Sequence, residues 1–236
     1  MAQNRIIGGR EYVLTFEDNF EGNALDSTKW ALCPETIRQD AGGFWRDSMT
    51  EVKDGNLILW AGIDENGVPA SGAIRSMGLF QQAYGYFECR MKIHKTTGFW
   101  GAFWMMCGNV GIVDGSAVSG VEIDIIESGE RARGAVNHAL HWDGYGKDHK
   151  SAVKIVKDEG QYDDGWHTYA LEWTKEAYIF YIDGKETWRT SEPGICTKPG
   201  YLKLTTEFGT WARPIVPEEL PDCVRVDYVR VYSAVE

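Results

Sequence analysis

Val121-Glu122-Ile123-Asp124-Ile125-Ile126-Glu127 sets three acids among isoleucines and a valine, in a segment that otherwise reads as a strong strand former. Acids are depleted from strands, so three of them here need a reason. In a regular strand, residues i and i+2 share a face. Glu122 and Asp124 then point one way and Glu127, five residues on from Glu122, points the other. One extra residue in a β-bulge around Ile125-Ile126 returns Glu127 to the face of the other two and lets both isoleucines enter a core. A solvated acidic edge strand is the alternative, but the adjacent apolar pair fits the bulge better.

Working outward, similar short segments recur: YVLTF at 12–16, NLILWA at 56–61, YGYFECRMKI at 84–93, AYIFYID at 177–183 and VRVDYVRVY at 224–232. Each is rich in β-branched or aromatic residues. Turn signals separate them at Asp54-Gly55, Asn66-Gly67, Asp143-Gly144, Asp183-Gly184 and Pro199-Gly200, which is the rhythm of an antiparallel all-β sandwich or barrel. Capped amphipathic helices are not evident, which removes βαβ architectures. The 236 residues fit one domain, 1–236, and carry 10 Trp, 11 Tyr, 9 Phe and 27 Gly, a mixture suited to a turn-rich fold with flat apolar faces. Stretches 33–50, 107–120 and 142–162 read as loops rimming a functional face.

Composition narrows the partners. Lys plus Arg total 24 against 35 Asp plus Glu, a formal charge of −11 that repels nucleic acid and anionic lipid surfaces. No apolar run approaches the roughly 18 residues of a membrane helix, so no membrane association is expected. The five cysteines have neither metal-finger spacing nor a C-x-x-C pair, and leave one or two disulfides open. MAQNRIIGGREY lacks the features of a secretory signal. There is no dinucleotide, phosphate-loop or EF-hand motif, so no cofactor for catalysis is expected.

The acid spacing suits chemistry. With a bulge, the Cα atoms of Glu122 and Glu127 stand roughly 13 Å apart at about 3.3 Å per residue. Side chains leaning together then bring the carboxyls to about 5 to 5.5 Å, the separation of a retaining glycosidase. One carboxylate attacks an anomeric carbon while the other, kept protonated by charged neighbours, gives its proton to the leaving oxygen. A non-catalytic carbohydrate-binding sandwich is the competing class, but it has no need to crowd three like charges on one strand.

EIDIIE resembles the E-x-D-x-x-E signature of glycoside hydrolase family 16, in the bulged form shared by laminarinases and agarases. SGAIRSMGLFQQAYGYFECRMKI (71–93) and TTGFWGAFWMM (96–106) resemble two further family segments. FEDNFEG, LDSTKW, KDGNLIL, FYIDG and DYVRVY follow the family's order over nearly the whole chain. The resemblance implies an antiparallel β-jelly-roll sandwich with a concave carbohydrate-binding cleft. It also implies retaining, endo-acting hydrolysis of a β-linked oligo- or polysaccharide, by a monomer that is secreted or held at the cell surface.

Carried over by position, Glu122 is the nucleophile, Asp124 its helper and Glu127 the acid/base. Trp100 and Trp104 fall where the family places tryptophans near the scissile bond, although alternate aromatics in a strand also serve a core. His141 resembles a histidine ending the neighbouring strand. It reads as a cleft residue that tunes Glu127 or binds sugar, with a structural histidine as the alternative. His138 and His141 face opposite ways on a strand, which argues against a shared metal. Arg75 aligns with a polar family position and reads either as a sugar donor or as an ordinary surface arginine. The resemblance also implies a structural calcium at Glu17, Gly55 and Asp227, away from the chemistry.

Departures from the laminarinase pattern bear on substrate. Gly101 stands where proline is usual, the 142–150 loop differs, and Leu204–Trp211 carries an acid. The resemblance of this stretch to T-E-x-x-x-W segments of galactan-degrading relatives implies Glu207 and Trp211 on the sugar-binding face. The same departures weaken a β-1,3-glucan reading and favour a β-galactan, or an endo-β-galactosidase acting on host or mucin-type glycans.

Overall fold

Two tight hairpins fix the local geometry. Asp54-Gly55 (φ 53° and 71°) and Asp183-Gly184 (φ 50° and 75°) hold both turn residues at positive φ. That type I′ conformation matches the right-handed twist of paired strands. They join Thr50–Lys53 to Asn56–Ile63 and Tyr178–Ile182 to Lys185–Thr190. The computed structural model describes residues 4–38, 43–163 and 165–235.

Among these residues the strands form a twelve-stranded and a seven-stranded sheet, with only short 3₁₀ turns as helix. The expected sandwich is present. Pairing is antiparallel except between Gly43–Trp45 and Pro69–Ser71, which run parallel. Between the sheets lies one main core. It includes Phe87, Leu171 and Val229 from the larger sheet and Phe103, Ile123, Ile125, Ile126 and Leu204 from the smaller, all fully buried. Each side chain of this size contributes about 1.5–3 kcal/mol on leaving water.

The seven-stranded sheet carries the functional face. Its spatial order is Lys150–Lys157, Ala135–Trp142, Gly120–Glu127, Phe99–Gly108, Gly200–Phe208, Ala73–Arg75 and Ala31–Leu32. The strand Lys150–Lys157 corrects the reading of 142–162 as one loop. Its outward Val153 and Ile155 are each 52% exposed, so its alternation carries no clear core signal. The 33–50 stretch likewise holds the short strands Ile37–Arg38 and Gly43–Trp45, while residues 39–42 lie outside the described set. None of the five cysteines forms a disulfide.

Candidate active site

The expected bulge is present. Pairing runs Glu127 with Ala102, Ile126 with Phe103 and then Asp124 with Trp104, so Ile125 is the extra residue. The neighbouring strand shows the same shift, from Asp124 opposite Ala139 to Glu127 opposite Asn137. Ile125 and Ile126 are both 0% exposed. Without the bulge Glu127 would enter the core, where an unpaired carboxylate is far costlier than two isoleucines. With it, Glu122, Asp124 and Glu127 line one open cavity of about 320 Å³, together with Trp100, Ala102, Trp104, Met106, Tyr145, Lys203 and Glu207.

The acids have different surroundings. Glu127 Oε2 accepts a hydrogen bond from Asn137 Nδ2 at 2.8 Å. Burial, and then the charge of Asp124, push the Glu127 carboxyl well above the ordinary glutamate range, against the opposing effects of Asn137 and His141. Asp124 is only 4% exposed. Burial first, and then the charges of Glu122 and Glu207, push it well above the usual range, with Lys203 opposing. His141 Nε2 stands 3.3 Å from Asp124 Oδ2. On its other side, His141 Nδ1 lies 2.9 Å from His149 Nε2, with the two rings stacked.

Glu122 is met from above by a loop residue. The Tyr145 hydroxyl donates to Glu122 Oε2 at 2.5 Å, although Tyr145 is 58% exposed. Its loop is anchored by Asp143, which is buried. Asp143 Oδ1 accepts from the backbone of Asp114 (3.2 Å) and Gly115 (3.0 Å), and Oδ2 accepts from Lys150 Nζ (2.8 Å). Asp143 and Gly144 both take positive φ, at 61° and 75°, which turns Tyr145 back over the acids.

The remaining expected residues divide. Trp100 lines the cavity, and Trp211 stands behind it rather than in the lining, ring to ring at 5.2 Å with its Nε1 donating to Glu130. Trp104 lines the cavity with one ring face covered, since Lys203 Nζ sits 3.7 Å from the ring centroid. That face is closed to sugar. Glu207 lines the cavity and is 6% exposed. Arg75 pairs with Lys203 in the adjacent strand but is not part of the lining. Gly101 has a local cause: its N–H donates to Ser128 Oγ at 2.8 Å, which proline could not do, and a Cβ there would overlap Val224.

Sequence reasoning missed Lys203, Tyr145, Asn137 and His149. Lys203 shares the Glu207 face of its strand by alternation, a signal that was there to read. Tyr145 and His149 lie on a loop, where no periodicity points to them.

The expected calcium residues include two carboxylates that are ion-paired in this structure. Glu17 Oε1 accepts from Arg230 Nε at 2.7 Å and Asp227 is paired with Arg90, so each carboxylate already faces a cation. The one cluster of three metal-type ligands among the described residues is Glu122, Asp124 and His141, with one ligand atom of each within 4.8 Å of the others. It is the acid cluster itself.

A family model described as beta-porphyranase A-D, GH16 domain, matches residues 11–234. The glucan endo-1,3-beta-glucosidase A1 of Niallia circulans is 26% identical over 258 aligned positions, covering 93% of this chain and 38% of that protein. The keratan-sulfate endo-1,4-beta-galactosidase of Sphingobacterium multivorum is 29% identical over 246 positions, covering 94% of this chain and 56% of that protein. The chain thus spans less than two thirds of either relative. Among solved structures, the endo-beta-1,3-glucanase from Pyrococcus furiosus shares the fold with a TM-score of 0.83, covering 100% of both chains at 22% identity. With the family match running from residue 11 to residue 234, the chain belongs to glycoside hydrolase family 16, as a domain of the beta-porphyranase A-D group.

Proposed function

We propose that this domain is a retaining endo-β-glycosidase that cleaves internal β-linkages of a polysaccharide or glycan. The observation that carries the reading is the bulge that brings Glu127 into one cavity with Glu122 and Asp124, where burial and the charge of Asp124 raise the Glu127 carboxyl above its ordinary range. Glu122 attacks the anomeric carbon as the glycosidic C–O bond breaks, and Glu127 gives its proton to the departing oxygen. Glu127, now a carboxylate, takes a proton from water, which attacks the same carbon and releases Glu122. Tyr145 and Asp124 hold the surroundings of Glu122 through the two steps. A binding module would gain nothing from burying Asp124 among like charges. A polymeric substrate also argues for action outside the cell or at its surface.

Proton NMR of the first product tests the reading, across laminarin, mixed-linkage glucan, agarose and mucin-type glycans. Release of the β-anomer from at least one polymer is expected. Initial release of the α-anomer would mean that water attacks directly, and the double displacement would fall.

Within that class, Glu207 supports a galactoside over a glucan. A buried acid that accepts from sugar hydroxyls discriminates by about 1 to 3 kcal/mol, because the wrong epimer forfeits that hydrogen bond. Galactose and glucose differ in the orientation of one hydroxyl. Glu207→Gln is expected to lower kcat/KM on the preferred polymer by that amount, with thermal unfolding no earlier than in the wild type. Equal kcat/KM on glucan and galactan, unmoved by the substitution, would return the domain to the β-1,3-glucanases.

A further inference from the structure

Glu127 reaches the cleft only because Ile125 is the extra residue of the bulge, and an extra residue leaves the strand ladder locally unpaired. The Ile125 carbonyl points away from the cleft, and His138 Nδ1 meets it at 2.6 Å. His138 is fully buried. It lies next to Asn137 in the strand, so the two side chains leave opposite faces of the sheet. Asn137 holds the Glu127 carboxyl in the cleft, while His138 holds the backbone of the bulge from the core.

The imidazole also reaches the other sheet. Its ring stacks on Phe180 with centroids 4.9 Å apart, and its Nε2 lies 2.8 Å from Thr187 Oγ1. Phe180 and Thr187 belong to the twelve-stranded sheet. A carbonyl can only accept, so Nδ1 carries the hydrogen, and Nε2 of the neutral ring faces the Thr187 hydroxyl, which also lies 3.1 Å from the Phe180 carbonyl. Burial lowers the pKa of His138 to about 4, which keeps the ring neutral and in this tautomer near neutral pH. Leucine would fill the space as an apolar residue, but it would leave the Ile125 carbonyl buried without this partner.

We propose that His138 is a positioning residue for Glu127, tying the bulge carbonyl to the facing sheet and so setting where the acid/base carboxyl stands relative to Glu122. The inference rests on Glu127 being the acid/base. Displacement of a reacting group by about 1 Å can cost on the order of 10²-fold in rate, whereas substrate affinity depends on the rest of the cleft.

The test uses His138→Leu, His138→Asn and His138→Gln in the whole chain, with Glu127→Ala alongside. Two substrates are compared: the polymer that the wild type cleaves in the panel above, and the 2,4-dinitrophenyl β-glycoside of its repeating disaccharide, whose leaving group needs no proton. For His138→Leu, kcat on the polymer is expected to fall about 10²-fold with KM little changed. The rate of dinitrophenolate release in the first turnover should stay within a few-fold of wild type, as in Glu127→Ala. An asparagine amide reaches the place of Nδ1 and should restore most of the polymer activity. A glutamine amide reaches the place of Nε2 and should not, and this contrast holds even if the leucine variant fails to fold. Equal losses on both substrates, no loss on either, or glutamine matching asparagine would overturn the positioning role. If Glu127→Ala itself shows no dependence on the leaving group, the acid/base reading falls instead.

Discussion

Replacing Glu122 by alanine is expected to abolish turnover, with losses on the order of 10⁴ to 10⁶ in kcat, because no other group can form the glycosyl intermediate. Sodium azide should restore part of the rate. The anion fits the space that the carboxylate leaves and attacks the anomeric carbon from the same side, while Glu127 still protonates the leaving oxygen. The product is then the α-glycosyl azide, identified by its anomeric proton coupling. Recovery of the β-glycosyl azide from this variant would exchange the roles of the two glutamates, and a fully active alanine variant would remove Glu122 from the mechanism altogether.

Asp124→Asn is expected to make the protein more stable while it loses activity. Asp124 sits almost out of solvent, and burial together with the charges of Glu122 and Glu207 raises its folded pKa well above 3.8. The folded chain therefore holds a proton that the unfolded chain has released, and stability falls as pH rises from about 4 toward the folded pKa. Asparagine carries no such penalty. At pH 7 the gain should be about 1–3 kcal/mol, the scale for relieving a buried polar group that lacks a good partner. For a chain of this length that is a Tm increase of roughly 2–12 °C, at about 2–4 °C per kcal/mol. Near pH 4 the gain should vanish. Calorimetry at both pH values checks the sign, and a Tm below wild type at pH 7 would show that Asp124 is stabilised by its surroundings.

The acid-bearing strand was legible because two constraints coincide in seven residues. Period-2 alternation assigns faces to Glu122 and Asp124, and the adjacent Ile125-Ile126 pair can be buried only if the register slips. The hairpins at Asp54-Gly55 and Asp183-Gly184 were legible for a similarly local reason, the preference for positive φ. The strand Lys150–Lys157 was not, because lysines and exposed aliphatics alternate along it and neither face announces a core. The tryptophans show a different limit. The family resemblance placed Trp100, Trp104 and Trp211 near the cleft. That Lys203 covers one face of Trp104, and that Trp211 supports Trp100 from behind, depends on side chains arriving from strands and loops distant in sequence.

Asp143 joins two loops that the sequence keeps almost thirty residues apart. Its carboxylate gathers backbone amides from Asp114 and Gly115, and the Gly144 amide donates to the Val110 carbonyl at 2.6 Å. The cleft wall that presents Tyr145 is thus built from 108–118 and 142–150 as a single mechanical piece. In mechanical terms the two segments are coupled: a change of length in the first would be transmitted through Asp143 to the hydroxyl that touches Glu122. Moving this cleft wall onto another scaffold therefore calls for transferring both segments of this chain as a pair, since either one grafted alone would arrive without its anchor.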